Sequence, residues 1–179
     1  MSRAADGPLA KGRPAWQTPK MIRSLWAVAL ALVVLLSGCA EPAFPRDPEG
    51  TLERATNGPL LVGVSSHPPH VEISDDGVVG GAEAEIVEAY ADTIGATVEW
   101  REGAESELME LIKLGQLDLI IGGLTSDSPW STHAALTRPY TTTIGADGKA
   151  VKLVIAVRLG ENALLTNLER FLAAEGLQA

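Results

Sequence analysis

Cysteine is almost missing: Cys39 is the only one in 179 residues, so no disulfide can form within the chain and no cysteine-based zinc site is available. Basic residues are scarce, 14 against 23 acidic, which leaves a formal net charge of −9. Such a surface repels nucleic acid and anionic lipid, so nucleic acid is excluded as a partner. No apolar run reaches the roughly 20 residues that a membrane-spanning helix needs. Nor does any serine–histidine–acid or paired-carboxylate arrangement have a catalytic spacing. The chain therefore reads as a binder and not an enzyme, with no cofactor implied.

The most telling segment present is residues 25–36, LWAVALALVVLL, preceded by Arg23 and followed by Ser37-Gly38-Cys39. A positive flank, a short apolar run and a small-residue cleavage site define an export signal. The cysteine directly after two small residues resembles the lipobox of bacterial lipoproteins, in which the thiol receives diacylglycerol and the cysteine becomes the new N-terminus. Residues 1–38 are then a lipoprotein signal peptide and Cys39 the lipidation site. The expected location is the cell envelope, at the extracytoplasmic or periplasmic face. Two or three acyl chains anchor stably where one does not. The first 38 residues hold five of the basic and one of the acidic residues, so the mature part carries 9 basic and 22 acidic groups, a net −13.

Residues 39–58 contain prolines and charges and few large apolar side chains, the composition of a tether. Residues 59–179 then form one α/β domain. Leu60-Leu61-Val62-Gly63-Val64 is an uninterrupted apolar run, as in a strand buried on both faces. A helix is predicted over 82–94, with Ile86, Val87, Tyr90 and Ile94 inward, Glu83, Glu85, Glu88 and Asp92 outward, and Gly95 as its stop. A strand over 97–100, a helix over 106–114 capped by Ser106, and a strand over 117–121 follow. A last strand over 153–157 and a helix over 162–174 complete a mostly parallel sheet with flanking helices.

Ligands of open parallel sheets bind beyond the carboxyl ends of the strands. Two loops lie there: 65–70, with Ser65, His67 and His70, and 122–130, with Gly122, Gly123, Thr125, Asp127 and Trp130. Glycines let backbone amides approach a ligand, Thr125 adds a hydroxyl, and Trp130 offers a flat wall. The bland readings are that the glycine pair only turns the chain and that Trp130 only caps an apolar face. His67 and His70 could be a metal pair, and His133 near the second loop could converge with them, but no third ligand is evident from spacing, and packing or solvation is the simpler role.

The segments LLVGVSSHPPHVEI, DGVVGGAEAEIVEAYADTIGATVEW, ELIKLGQLDLIIGGLT and LTRPYTTT, in this order and spacing, resemble the family 3 extracellular solute-binding proteins. The resemblance covers about residues 60–143 and implies one lobe of a type II periplasmic-binding-protein fold. It also implies an ABC-type uptake or sensing system, a small polar solute, and an ABC permease or another envelope protein as partner. His67 and His70 fall where the family places aromatic residues beside the two prolines. Glu83 and Glu85 fall on acidic positions of the first helix, and Thr137, Pro139 and Tyr140 on the motif entering the hinge.

Three departures qualify it. The arginine that grips an α-carboxylate in amino-acid binders is replaced by Trp130 or Ser131, with Arg138 belonging to the hinge motif, which argues against ordinary amino-acid capture. Only nine residues separate Thr143 from Leu153, where a second lobe of roughly 80–100 residues is expected, so that lobe is read as absent. Ala82 stands where the family favours a large aromatic. The alternatives are an envelope protein-interaction module that has lost its ligand and, less favoured, a dehydratase-like enzyme, since fold alone does not settle function.

Overall fold

The computed structural model describes residues 47–179. The expected signal peptide, the lipidation site Cys39 and the start of the tether lie outside the described residues.

From residue 47, ahead of the expected domain start at residue 59, the chain is already bonded to the domain. Helix α1, Thr51–Ala55, buries Thr51 and Ala55. There follow β1 (Pro59–Val64), β2 (Glu72–Ile73), β3 (Val79–Gly80), α2 (Ala82–Ile94), β4 (Thr97–Glu102), α3 (Glu105–Lys113) and β5 (Leu119–Ile121). A 3-10 turn (Pro129–Thr132), β6 (Ala134–Leu136), β7 (Thr141–Ile144), β8 (Ala150–Leu153), β9 (Ala156–Arg158) and α4 (Asn162–Ala174) end the chain.

The central sheet has the order β4-β1-β5-β9-β6. β1 is parallel to β4 and β5, while β9 is antiparallel to both β5 and β6. Four strands thus point one way and β9 alone the other, a mostly parallel sheet as the sequence implied. Alternation along the strands sends Leu60, Val62, Val64, Leu119 and Ile121 to one face, where α2 contributes Val87 and Tyr90 and α4 contributes Leu164, Leu168 and Leu172. Ile120 and Ala156 face the other side, against Leu108, Met109 and Ile112 of α3. The result is a three-layer sandwich with helices on both faces.

Three local readings differ from the coordinates. Glu83 does not face outward; it is fully buried. Helix α3 starts one residue early, after Ala104 and without a side-chain cap, so Ser106 lies inside its first turn. The single strand expected over 153–157 divides in two, because one run of chain serves two sheets. Leu153 ends β8 in a hairpin with β7, and Ala156 begins β9 in the main sheet. The amides between them are satisfied outside both ladders: Val154 N–H donates to the Leu124 carbonyl at 2.9 Å and Ile155 N–H to Thr137 Oγ1 at 3.0 Å.

Candidate functional site

Because β1 and β5 are paired, with Val64 opposite Ile121, their carboxyl ends emerge side by side. Ser65 continues the pairing through its N–H to the Ile121 carbonyl at 3.1 Å. The loop after β1 closes on itself. His67 and Val71 exchange backbone hydrogen bonds of 2.9 and 3.0 Å, and the intervening Pro68–Pro69 peptide is cis. The two imidazoles stack, with ring centroids 5.9 Å apart and planes 16° from parallel.

The loop after β5 is held by an unexpected group. The Glu83 carboxylate, at the start of α2, accepts the N–H of Gly122 at 2.8 Å and of Gly123 at 3.0 Å through Oε2. Its Oε1 accepts the hydroxyl of Tyr140. The amides assigned to a ligand are therefore already occupied by the protein, and the glycines serve the site by shape. A Cβ on Gly123 would lie 2.3 Å from the His67 ring, and its φ of +67° is one that favours glycine. The Glu83 N–H donates to the His70 carbonyl at 3.1 Å, so one residue locks both loops and the hinge tyrosine together. Burial raises the Tyr140 hydroxyl far above its ordinary range, and the Glu83 charge and hydrogen bond add to that.

Two cavities flank this arrangement. The larger, ≈ 510 Å³, lies between the histidine loop, with His67, Pro68, Pro69 and His70, and the β7–β8 hairpin; Gly123 and Thr125 are part of its wall. The smaller, ≈ 310 Å³, is lined by Glu105, Asp127 and neighbouring loop residues, and it shares Gly123 and Thr125 with the first. Its Asp127 carboxyl is held below the usual carboxylate range by the Thr125 hydroxyl and its own backbone N–H.

Of the residues singled out from sequence, His67, His70, Gly123 and Thr125 meet around the larger cavity and Asp127 joins the smaller one. Ser65 and Gly122 line neither; Ser65 Cβ lies where a Cβ on Gly122 would come within 2.9 Å. Trp130 also lines neither. Its indole N–H donates to Glu105, its ring meets His133 edge-on at 5.3 Å, and it packs against the α3-side cluster. His133 does not converge on the other histidines but lies 3.6 Å from Glu110. Among the described residues no three His, Cys, Asp or Glu side chains are gathered as metal ligands would be.

Glu83 and the hairpin wall were not read as site residues. Both had a signal. Glu83 stands in helical register with Val87, Tyr90 and Ile94, the inward face, and TTTI and AVKL flank the turn residues Asp147-Gly148 as two short strands would.

A family model described as bacterial extracellular solute-binding proteins, family 3, matches residues 60–175. The membrane-bound lytic murein transglycosylase F of Maricaulis maris (strain MCS10) is 30% identical over 124 residues, which cover 68% of this chain and 26% of that protein. The chain thus spans about a quarter of that relative's length. Among solved structures, the arginine-bound form of domain 1 of TmArgBP, from T. maritima, superposes with a TM-score of 0.60 at 25% identity, covering 68% of this chain and 97% of that one. A phenylalanine-to-tryptophan mutant of the same domain gives a TM-score of 0.62 at 24% identity, with 70% and 98% covered. An ancestral cationic amino acid solute-binding protein shares the fold, with a TM-score of 0.60 at 14% identity and 70% and 93% covered.

Proposed function

The chain belongs to family 3 of the bacterial extracellular solute-binding proteins, and from that membership we propose that it captures a small polar solute outside the cytoplasm. The solute sits at the joined ends of β1 and β5 and is delivered to an ABC-type uptake or sensing partner, with acylated Cys39 as the membrane anchor. The observation that carries this reading is the ≈ 510 Å³ cavity between the histidine loop and the β7–β8 hairpin, to whose wall the glycine loop adds Gly123 and Thr125. Its size falls within the ordinary range of small-molecule sites. That a single domain of TmArgBP has an arginine-bound form supports capture by one lobe.

Catalysis has no part in this reading. The one fully buried carboxylate of the site, Glu83, is saturated by two amides and a tyrosine hydroxyl, and the two histidines contact each other. An open site desolvates its ligand less than a closed cleft does. The expected affinity of the isolated chain is on the order of −4 to −7 kcal/mol, millimolar to ten-micromolar. Titration calorimetry of the full chain against amino acids, amines and simple sugars checks this. Heat from at least one class is expected, and silence from all of them sinks the reading in favour of a protein-interaction module.

A second reading draws on the murein transglycosylase relative: the recognised solute is a fragment of the cell wall. Muropeptides added to the same titration decide between the two.

A further inference from the structure

Resting on the solute-binding reading, we propose that the inward face of the β7–β8 hairpin forms the selecting wall of the cavity. We further infer that this wall fits a solute with an uncharged apolar body whose charged end, if it has one, is an ammonium and not a carboxylate.

The hairpin is fixed to the site, not hung beside it. Thr125 pairs with Leu153 as an antiparallel bridge, Ser126 N–H donates to the Lys152 carbonyl at 2.9 Å, and Val154 N–H donates to the Leu124 carbonyl at 2.9 Å. Its two faces differ. In the register Thr141↔Leu153 and Thr143↔Val151, these four side chains share one face and are buried or half-buried. Thr142, Ile144, Ala150 and Lys152 are exposed on the other. Thr143, Val151 and Leu153 of that face line the cavity opposite the histidine loop, and Ile144 with the turn residues Gly145 and Ala146 complete the rim at the hairpin tip.

Charge then narrows the solute. Among the described residues no Lys, Arg, Asp or Glu lines the larger cavity. A carboxylate brought there gives up water without a guanidinium or ammonium to receive it, which is costly. An adjoining cavity carries Glu105 and Asp127 and shares Gly123 and Thr125 with the first. Both of its charges are negative, as is the net charge of the chain. A solute whose apolar part rests on Val151 and the stacked imidazoles can extend a cation to that side, whereas an anion meets repulsion.

The experiment uses matched probes on the full chain: tyramine against tyrosine and phenethylamine against phenylalanine, titrated at about pH 8, above the usual range of imidazole titration. The decarboxylated member of each pair is expected to bind at least about tenfold more tightly. Val151→Trp, which fills the cavity from the inward face, should weaken the better probe about tenfold or more, while Thr142→Trp on the outward face should change it less than about twofold. Thr143→Val, nearly isosteric, should shift the ratio between probes without loss of fold by circular dichroism, which covers the case of a misfolded Val151→Trp. Equal or tighter binding of the amino acids, or unchanged binding in both inward variants, overturns this inference while leaving solute capture intact. If none of the four probes and no member of the wider panel binds, the solute-binding reading itself fails.

Discussion

Glu83 brings a carboxylate into a fully buried position where three donors converge, the amides of Gly122 and Gly123 and the hydroxyl of Tyr140. A buried charge is tolerated only when its hydrogen-bonding capacity is met, and here the partners come from two distant loops. Glu83→Ala leaves all three donors without an acceptor. Each such loss costs about 1–3 kcal/mol, so a destabilisation of about 3 kcal/mol or more is expected in urea unfolding. Tyr140→Phe removes one donor and keeps the rest, so it should cost about 1 kcal/mol. If Glu83→Ala costs no more than Tyr140→Phe, the residue is not the lock described above. The helical register of Glu83 was visible in the sequence. Its partners were not, because nothing in the order of residues says that positions 39, 40 and 57 places away fold back onto it.

At the scale of elements, the connection into the domain is more structured than its composition implied. Asp47 Oδ2 accepts the Leu52 N–H at 2.9 Å, and the Glu161 carboxylate, ahead of α4, accepts the N–H of Glu49 and of Thr51 at 3.2 Å each. The Asp47 and Glu161 carboxyls also meet. Burial, then the hydrogen bond to Glu161, raises the Asp47 pKa from 3.8 to about 6, while burial of Glu161 is outweighed by hydrogen bonds from Asp47, Thr51 and Glu49, which hold it low. Asp47 is the member of the pair that keeps its proton to higher pH, and its buried Oδ1 has no hydrogen-bond partner among the described residues. A raised folded-state pKa means that the folded chain keeps a proton that the unfolded chain releases. The stability it contributes is complete below about 3.8 and is lost as pH rises through about 6. Glu161 acts oppositely and only at lower pH, where its depressed carboxyl begins to protonate. Urea midpoints of the wild type should therefore fall between about pH 4 and about pH 6 and level off above that, and Asp47→Asn should flatten that slope. A slope that survives Asp47→Asn refutes the shared proton. Low apolar content pointed to a tether, but a five-residue helix anchored by carboxylates needs little apolar surface to fold.

For the whole molecule, the family assignment and the three-layer architecture agree, and a five-residue turn, 145–149, joins the two hinge strands. Closed as a hairpin, β7 and β8 add a wall to the same site where the resemblance implied a second lobe. Cys39 belongs to this scale too, since an acyl anchor would set the orientation of the cup relative to the membrane. Labelled palmitate should enter the wild-type chain and not Cys39→Ala, and equal labelling of both would remove the lipoprotein reading.

Periodicity and loop position determined much from sequence alone. α2 and α4 run over the predicted residues, β1 and β5 carry the buried runs, and His67, His70, Gly123 and Thr125 belong to loops that must lie together at the strand ends. These are local facts, dictated by 3.6- and 2-residue spacing and by the rule that parallel strands expose their carboxyl ends on one side. Tertiary structure alone decided who satisfies whom. It gave the glycine amides to Glu83, drew Trp130 to Glu105, split the run 153–157 between two sheets and set Val151 across from the histidines. The physical reason is that a buried donor takes whichever acceptor the packed chain brings within 3 Å or so, and that partner is fixed by distance in space, not by distance along the sequence.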